Sequence, residues 1–283
     1  MKLYLRIVAA SLLFAACQKE QGSGPVPLAA ETQLNVAYGT DPAQNMDVYL
    51  PAGRTTASTK VIIMVHGGGW NQGDKSDFTA YVDTLKKRMP GYAVFNINYR
   101  LATGTTNFFP VQEMDVKAAI EFIYGKRDEY KISDKFVLLG ASAGGHLVLL
   151  HAYKYTTPVK IKAVVDFFGP TDLVDMYNNP PNPLVTVLLQ QVTGGTPSTK
   201  ATLYHDSSPL NYVSGQNPPT IILQGGADFV VSPSQSVLLN AALQAAGVTH
   251  QYILYPTEGH GWVGNNLVDS FDKIQAFLNA NVQ

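Results

Sequence analysis

One cysteine, Cys17, occurs in the 283 residues. No disulfide can form within the chain, so an exported fold of this sequence has to hold by its core. Charge of one sign is also missing: 20 Lys and Arg stand against 21 Asp and Glu. A net charge of -1 supplies no field that would gather a polyanion, which speaks against nucleic acid as a partner. The most apolar stretch, residues 7–16 (IVAASLLFAA), falls short of the roughly 20 residues that span a bilayer. No internal repeat is visible, and no group of histidines and carboxylates has the spacing of a metal site, so no metal is expected. Charged residues make up only 14% against 46% hydrophobic, too apolar a balance for disorder. A chain of this length is expected to form one domain of about 250 residues, or at most two.

What the sequence does have begins at its start. Lys2 and Arg6 precede the apolar stretch, and two alanines precede Cys17, the layout of a secretory signal. The segment LLFAAC resembles the lipobox of bacterial lipoproteins, in which the cysteine becomes the lipidated first residue; Phe14 stands where an aliphatic residue is usual. The resemblance implies a signal peptide over 1–16, lipidation at Cys17, export, and anchoring to a membrane through the N-terminal lipid only. The expected location is the periplasm or the outer membrane, the latter favoured because Gln18 rather than aspartate follows the cysteine. A plain signal peptide and an uncleaved anchor are the alternatives. Residues 17–32 are polar and broken by Gly and Pro, as a tether would be, leaving 33–283 as the folded domain.

From residue 33 the chain alternates strand and helix signals. QLNVAY, MDVYL, KVIIMVH, YAVFNINY, KFVLLG, IKAVVDFF, TIILQG and HQYILY read as strands, several apolar throughout, as a sheet covered on both faces requires. Helical stretches are expected over roughly 76–89, 110–129, 143–155, 233–246 and 265–280. This predicts an α/β fold with a mostly parallel central sheet of about eight strands, helices on both faces, and two antiparallel strands at the start. The segment 170–217 breaks the rhythm before the seventh strand. Rich in Pro, Asn and Gly, with only residues 184–192 looking helical, it is expected to be a cap-like insertion that shapes the substrate site.

Residues 139–147 read LGASAGGHL: an apolar strand runs into Gly140-Ala141-Ser142-Ala143-Gly144, and an apolar helix follows. Strand, GxSxG, helix is the layout of a nucleophile elbow, in which a tight turn lifts the serine out of the core and the glycines avoid collisions. Ser142 is the candidate nucleophile. HGGGW, from His66 to Trp70, follows the third strand directly. Its glycines can turn amides toward a developing oxyanion, so Gly68 and Gly69 are the candidate donors, with Ala143 as the third and Trp70 possible. Of six histidines, His260 in EGHGW lies just past the last strand, at the sheet edge where loops converge, and is the candidate base. The acid is expected between serine and histidine in chain order. Asp228, after the seventh strand, is the choice; Asp166, Asp172, Asp175, Asp206 and Glu258 are the alternatives, with Asp172 in GPTDL the main rival. Among aromatics near the expected mouth, Trp70, Tyr99 and Trp262 are the candidate substrate contacts, and core packing is the competing role for them.

HGGGW, NYRL, GASAGGHL, GPTDL, SPLNYV, GGADFVV and EGHGW, in this order, resemble the α/β-hydrolase superfamily, and in it the bacterial carboxylesterases near feruloyl and acetyl esterases and the hormone-sensitive-lipase-like group. The resemblance covers nearly everything after the tether. It implies a serine esterase with Ser142, Asp228 and His260, acting without a cofactor on a small-molecule or polysaccharide-linked ester. Ala141 departs from the acidic residue usual in the lipase-like group, which favours the feruloyl or acetyl side. A base acting as neutral imidazole implies activity that declines below about pH 6 to 7. The competing readings are a non-catalytic binding protein on the same fold, and an arylformamidase-like or peptidase-like hydrolase.

Overall fold

Successive side chains of β3 (Lys60–Val65) enter different cores: Val61, Ile63 and Val65 pack into one, Ile62 and Met64 into the other. A strand apolar on both faces must be covered on both sides, and the computed structural model shows that it is. The structure describes residues 27–283. The expected signal peptide, Cys17 and most of the tether lie outside the described residues.

Eight strands form one sheet in the order β1-β2-β4-β3-β5-β6-β7-β8. The remaining strands are β1 (Glu31–Ala37), β2 (Asn45–Leu50), β4 (Tyr92–Ile97), β5 (Phe136–Ala141), β6 (Ile161–Phe167), β7 (Thr220–Gly225) and β8 (His250–Tyr255). β1 and β2 pair antiparallel, as do β2 and β4, while all pairings from β4 to β8 are parallel. β1 begins at Glu31, two residues inside the stretch expected to be tether.

The helices are α1 (Thr79–Arg88), α2 (Val111–Gly125), α3 (Arg127–Tyr130), α4 (Ala143–Lys154), α5 (Leu173–Asn178), α6 (Pro183–Thr193), α7 (Ala201–Asp206), α8 (Pro233–Ala245) and α9 (Gly264–Asn281). Residues of α1 and α9, including Val82, Leu85, Phe271, Ile274 and Phe277, build the core with Ile62 and Met64. Those of α2, α4 and α8, including Val116, Ile120, Leu147, Leu150 and Leu239, build the other. Each fully buried Leu, Ile or Phe of this kind is worth about 1.5–3 kcal/mol, so the two-sided core needs no disulfide.

The insertion 170–217 holds more helix than its composition suggests: α5, α6, α7 and a 3-10 turn at Pro209–Tyr212. Polar residues start two of these helices. The carboxylate of Asp172 accepts the Val174 and Asp175 amides at the head of α5, and Asn182 accepts the Leu184 amide at the head of α6, with Pro183 in the first helical position. Asn182 also donates from Nδ2 to the Phe229 carbonyl, tying α6 to the loop that leaves β7.

Candidate active site

The backbone at Ser142 takes φ 55 and ψ -122, a left-handed conformation uncommon for a residue with a side chain. Its surroundings impose it. A Cβ on Gly140 would lie 2.3 Å from the Gly144 carbonyl oxygen, and one on Gly144 would lie 2.0 Å from that of Val65. Strand, elbow and helix thus touch backbone to backbone, and only glycine fits at the contacts. Ser142 donates its amide to the Phe167 carbonyl at 2.8 Å, and its carbonyl accepts the first bond of α4 from His146 at 2.9 Å. The hydroxyl therefore stands at the positive end of a twelve-residue helix.

His260 meets it. Nε2 of the imidazole is 2.8 Å from Ser142 Oγ, and Nδ1 is 2.8 Å from Asp228 Oδ2. The side chain of Asp228 is fully buried and its hydrogen bonds are filled: Oδ1 accepts the amides of Val230 and Val231 at 2.8 and 2.9 Å, and Oδ2 also accepts from Gln224 Nε2 at 3.2 Å. A buried carboxylate held by four donors keeps the proton of the imidazole on Nδ1 and leaves Nε2 to accept from the serine. The rival acid, Asp172, is committed to the cap of α5.

The other histidines are engaged elsewhere. His146 lies between the Trp70 indole, whose N–H it accepts at 3.1 Å, and the Ser207 carbonyl, to which Nε2 donates at 2.6 Å; burial pushes its pKa down to about 4. Burial also holds His151 down at about 3 and lowers His66. All three are neutral packing groups at ordinary pH.

The glycine loop presses against the nucleophile: a Cβ on Gly67 would fall 2.9 Å from the Ala141 carbonyl oxygen and 3.2 Å from Ser142 Cβ. Gly68, Gly69 and Trp70 all have positive φ (102, 57 and 61), and the Gly68 carbonyl closes the turn by accepting the Asn71 and Gln72 amides. Among the described residues no acceptor takes the amide of Gly68 or Gly69. Ala143 is the first residue of α4, so its amide has no partner within that helix. The Tyr99 hydroxyl donates to the His66 carbonyl at 3.1 Å, and its ring stacks on His66 at 4.3 Å, bracing the loop from beneath.

The three aromatics expected at the mouth lie under it. Trp70 is 2% exposed, Tyr99 1% and Trp262 7%. Trp70 anchors the glycine loop through His146, Tyr99 supports it, and Trp262 packs on Phe168 while donating to Ser270 Oγ at 2.8 Å. Their polar atoms are spent on protein partners; Trp70 still borders the cleft above Ser142 and Trp262 lines the smaller cavity beside it, whereas Tyr99 lines neither. Besides Trp70, the cleft above Ser142, about 640 Å³, is bordered by Phe78, Tyr81, Phe168, Met176, Leu188 and Val230. Nothing in the sequence marked these, because they look like ordinary core positions; only the positive φ of Phe168, at the end of β6, sets one apart. Phe168 rests on the His260 ring, centroids 4.6 Å apart. Leu188 of α6 reaches to within 3.0 Å of where a Gly69 Cβ would stand, so the insertion does border the cleft.

A strained serine at a strand–helix elbow, a histidine and a buried aspartate on the following strand ends, and a glycine loop facing them define an α/β-hydrolase. The same conclusion comes from comparison with known proteins. The chain belongs to the BD-FAE family, whose model matches residues 46–243. It is 28% identical to the esterase LipC of Mycobacterium tuberculosis over 80% of this chain and 59% of LipC. It is also 28% identical to dipeptidyl aminopeptidase BIII of Pseudoxanthomonas mexicana, over 88% of this chain and 38% of that protein. Among solved structures, a truncated carbohydrate esterase from gut microbiota superposes with a TM-score of 0.75 at 26% identity, covering 89% of this chain and 96% of the other. The chain thus spans 59% and 38% of the length of these two curated relatives.

Proposed function

We propose that this protein is a serine carboxylesterase that hydrolyses short-chain or aryl esters through an acyl-enzyme. The observation that carries this reading is the continuous relay from Asp228 Oδ2 through His260 to Ser142 Oγ, with 2.8 Å at each step. Ser142 Oγ attacks the ester carbonyl carbon as His260 Nε2 takes its proton. The carbonyl oxygen becomes an oxyanion facing the amides of Gly68, Gly69 and Ala143. Collapse breaks the bond to the alcohol, which leaves with the proton from His260. Water then attacks the acyl-enzyme, gives its proton to His260, and the acid departs as Ser142 recovers its hydroxyl. Asp228 holds the imidazole in the required tautomer and steadies its cation.

The chemistry of the cleft supports an ester over a peptide. Among the described residues at its border there is no Lys or Arg, and the one carboxylate, that of Asp77, already accepts the Asp74 amide. A dipeptidyl aminopeptidase has to hold a protonated amino terminus, and a cleft whose one carboxylate is engaged in capping its own turn suits an uncharged ester. Similarity to a carbohydrate esterase supports a sugar-linked substrate. The test is a panel of 4-nitrophenyl esters, acetylated xylan, methyl ferulate and a dipeptidyl 4-nitroanilide, run beside Ser142→Ala and with labelling of Ser142 by a fluorophosphonate. Ser142-dependent ester turnover is expected. Turnover of the anilide alone would make it a peptidase, and no turnover with an unlabelled serine would make it a binding protein.

The location is part of the same proposal: export, lipidation at Cys17 and anchoring in the periplasm or outer membrane by that lipid. Lys2, Arg6 and LLFAAC support it. Incorporation of labelled palmitate that is lost in Cys17→Ser is the expected result, and an unlabelled soluble product would overturn it.

A further inference from the structure

The two ends of the cleft differ. On the insertion side, Met176, Leu188 and Val230 border an open groove. At the other end, Phe78, Tyr81, Ala141, Phe168 and Gly261 are shared between the cleft and a second, more enclosed cavity of about 50 Å³. That cavity lies between the sheet and helices α1 and α9, and Leu267 and Phe271 of α9 help close it. The residue before the nucleophile, Ala141, and the residue after the base, Gly261, flank its entrance. Its walls are aromatic and aliphatic: Tyr81 meets Phe78 edge-on at 5.4 Å and stacks on Phe271 at 5.9 Å. None of the lining side chains carries a formal charge.

We propose that this cavity is the acyl pocket and that Tyr81 and Leu267 set the longest chain it accepts, an inference that rests on the esterase reading above. An ester bound at Ser142 extends two arms from its carbonyl carbon. The alcohol arm has to depart after the first half-reaction and carries the bulk of any sugar-linked substrate, so it needs the open groove. The acyl arm stays attached to Ser142 until water arrives, and an enclosed apolar pocket suits it. A water molecule takes about 10–15 Å³ of such space, so the cavity holds a row of roughly three to five heavy atoms. Acetyl through butyryl groups fit; a hydroxycinnamoyl ring does not. Tyr81 and Leu267 are half-buried and pack against the edge of the core, whereas Phe78 and Phe271 are buried within it. The substrate class is therefore a short aliphatic acyl group on a large neutral alcohol.

The experiment measures kcat/KM of the full chain for 4-nitrophenyl acetate, butyrate, hexanoate and octanoate. A freely buried methylene improves binding about fourfold, so an unrestricted site gives a flat or rising series, which would overturn the pocket. The expected series falls at least about tenfold between butyrate and octanoate, the loss of one decade that a closed end wall imposes. Leu267→Ala and Tyr81→Ala should each raise the octanoate-to-acetate ratio about tenfold, and Leu267→Trp should lower the butyrate-to-acetate ratio similarly. Ratios that do not move in folded variants, checked by thermal melts, overturn the assignment; if the variants do not fold, the wild-type series decides. Turnover that depends on Ser142 but ignores chain length defeats the pocket alone. No turnover of any ester, with Ser142 unlabelled, defeats the esterase reading and the pocket with it.

Discussion

Asp228 divides its carboxylate between two tasks: Oδ2 holds His260 Nδ1 at 2.8 Å, while Oδ1 gathers the amides of Val230 and Val231 and so shapes its own loop. Asp228→Asn separates the tasks. The amide oxygen can keep the loop amides, but the NH2 group forces the wrong tautomer on His260. We expect a folded protein, destabilised by about 1–3 kcal/mol because the new NH2 group faces the Gln224 Nε2 donor, with kcat lower by about three to four decades. Steady-state hydrolysis of 4-nitrophenyl acetate measures it, and a loss under tenfold would move the acid elsewhere.

Gly144→Ala tests the elbow. The added methyl group would meet the Val65 carbonyl oxygen at 2.0 Å and that of His66 at 2.6 Å, and backbone atoms cannot step aside. A loss of about 1–3 kcal/mol in urea unfolding is expected from overpacking. Because β3 and the glycine loop are what must shift, activity should fall along with stability.

Trp70→Phe asks whether this ring serves substrate or loop. Phenylalanine leaves His146 Nδ1 buried without a partner, which costs about 1–3 kcal/mol. KM for short esters should stay within about twofold while kcat drops, since uniform binding is untouched and the oxyanion loop is loosened. A large rise in KM with kcat unchanged would make Trp70 a substrate contact rather than a support of the loop.

Asp166 makes stability depend on pH. Burial lifts its carboxyl to about 7, against a smaller opposing pull from the Gly169 amide. The folded protein thus keeps a proton that the unfolded chain gives up near 3.8, so this contribution is complete below about pH 4 and lost as pH climbs to about 7. His146 and His151, at about 4 and about 3, work the other way: their contribution is full above about pH 6.5 and lost on acidification. Asp166→Asn removes the first effect and leaves the second. On going from pH 7 to pH 4 the variant should lose stability more steeply than the wild type, by about 1.4 kcal/mol per pH unit. Urea midpoints at four pH values test this, and parallel curves would refute it.

All eight strands and the five long helices were legible because their signals are local: β-branched apolar runs for the strands, and apolar periodicity for helices such as α2. Ser142, Asp228 and His260 were legible because each sits at a strand's end in a short motif with its own constraint. The insertion was legible only at α6, expected over 184–192, since α5 and α7 are six residues long and Pro, Asn and Gly dominate the segment, concealing helices that are capped by Asp172 or packed through Tyr204. The aromatics of the mouth were only partly legible, for a different reason. Trp70 and Tyr99 stand beside the site in sequence, but whether a ring faces a ligand or the core depends on partners such as His146 and His66, which only the tertiary structure brings near.

The bond from Asn182 to the Phe229 carbonyl joins the first turn of α6 to the residue after the catalytic-acid candidate. What an enzyme accepts and how fast it turns over are commonly adjusted in separate segments, one trading freely while the other is conserved. Here a single side chain spans both. Any lineage or engineer that exchanges the insertion to admit a new alcohol also inherits a new setting for the acid's loop, unless an amide donor is retained at position 182.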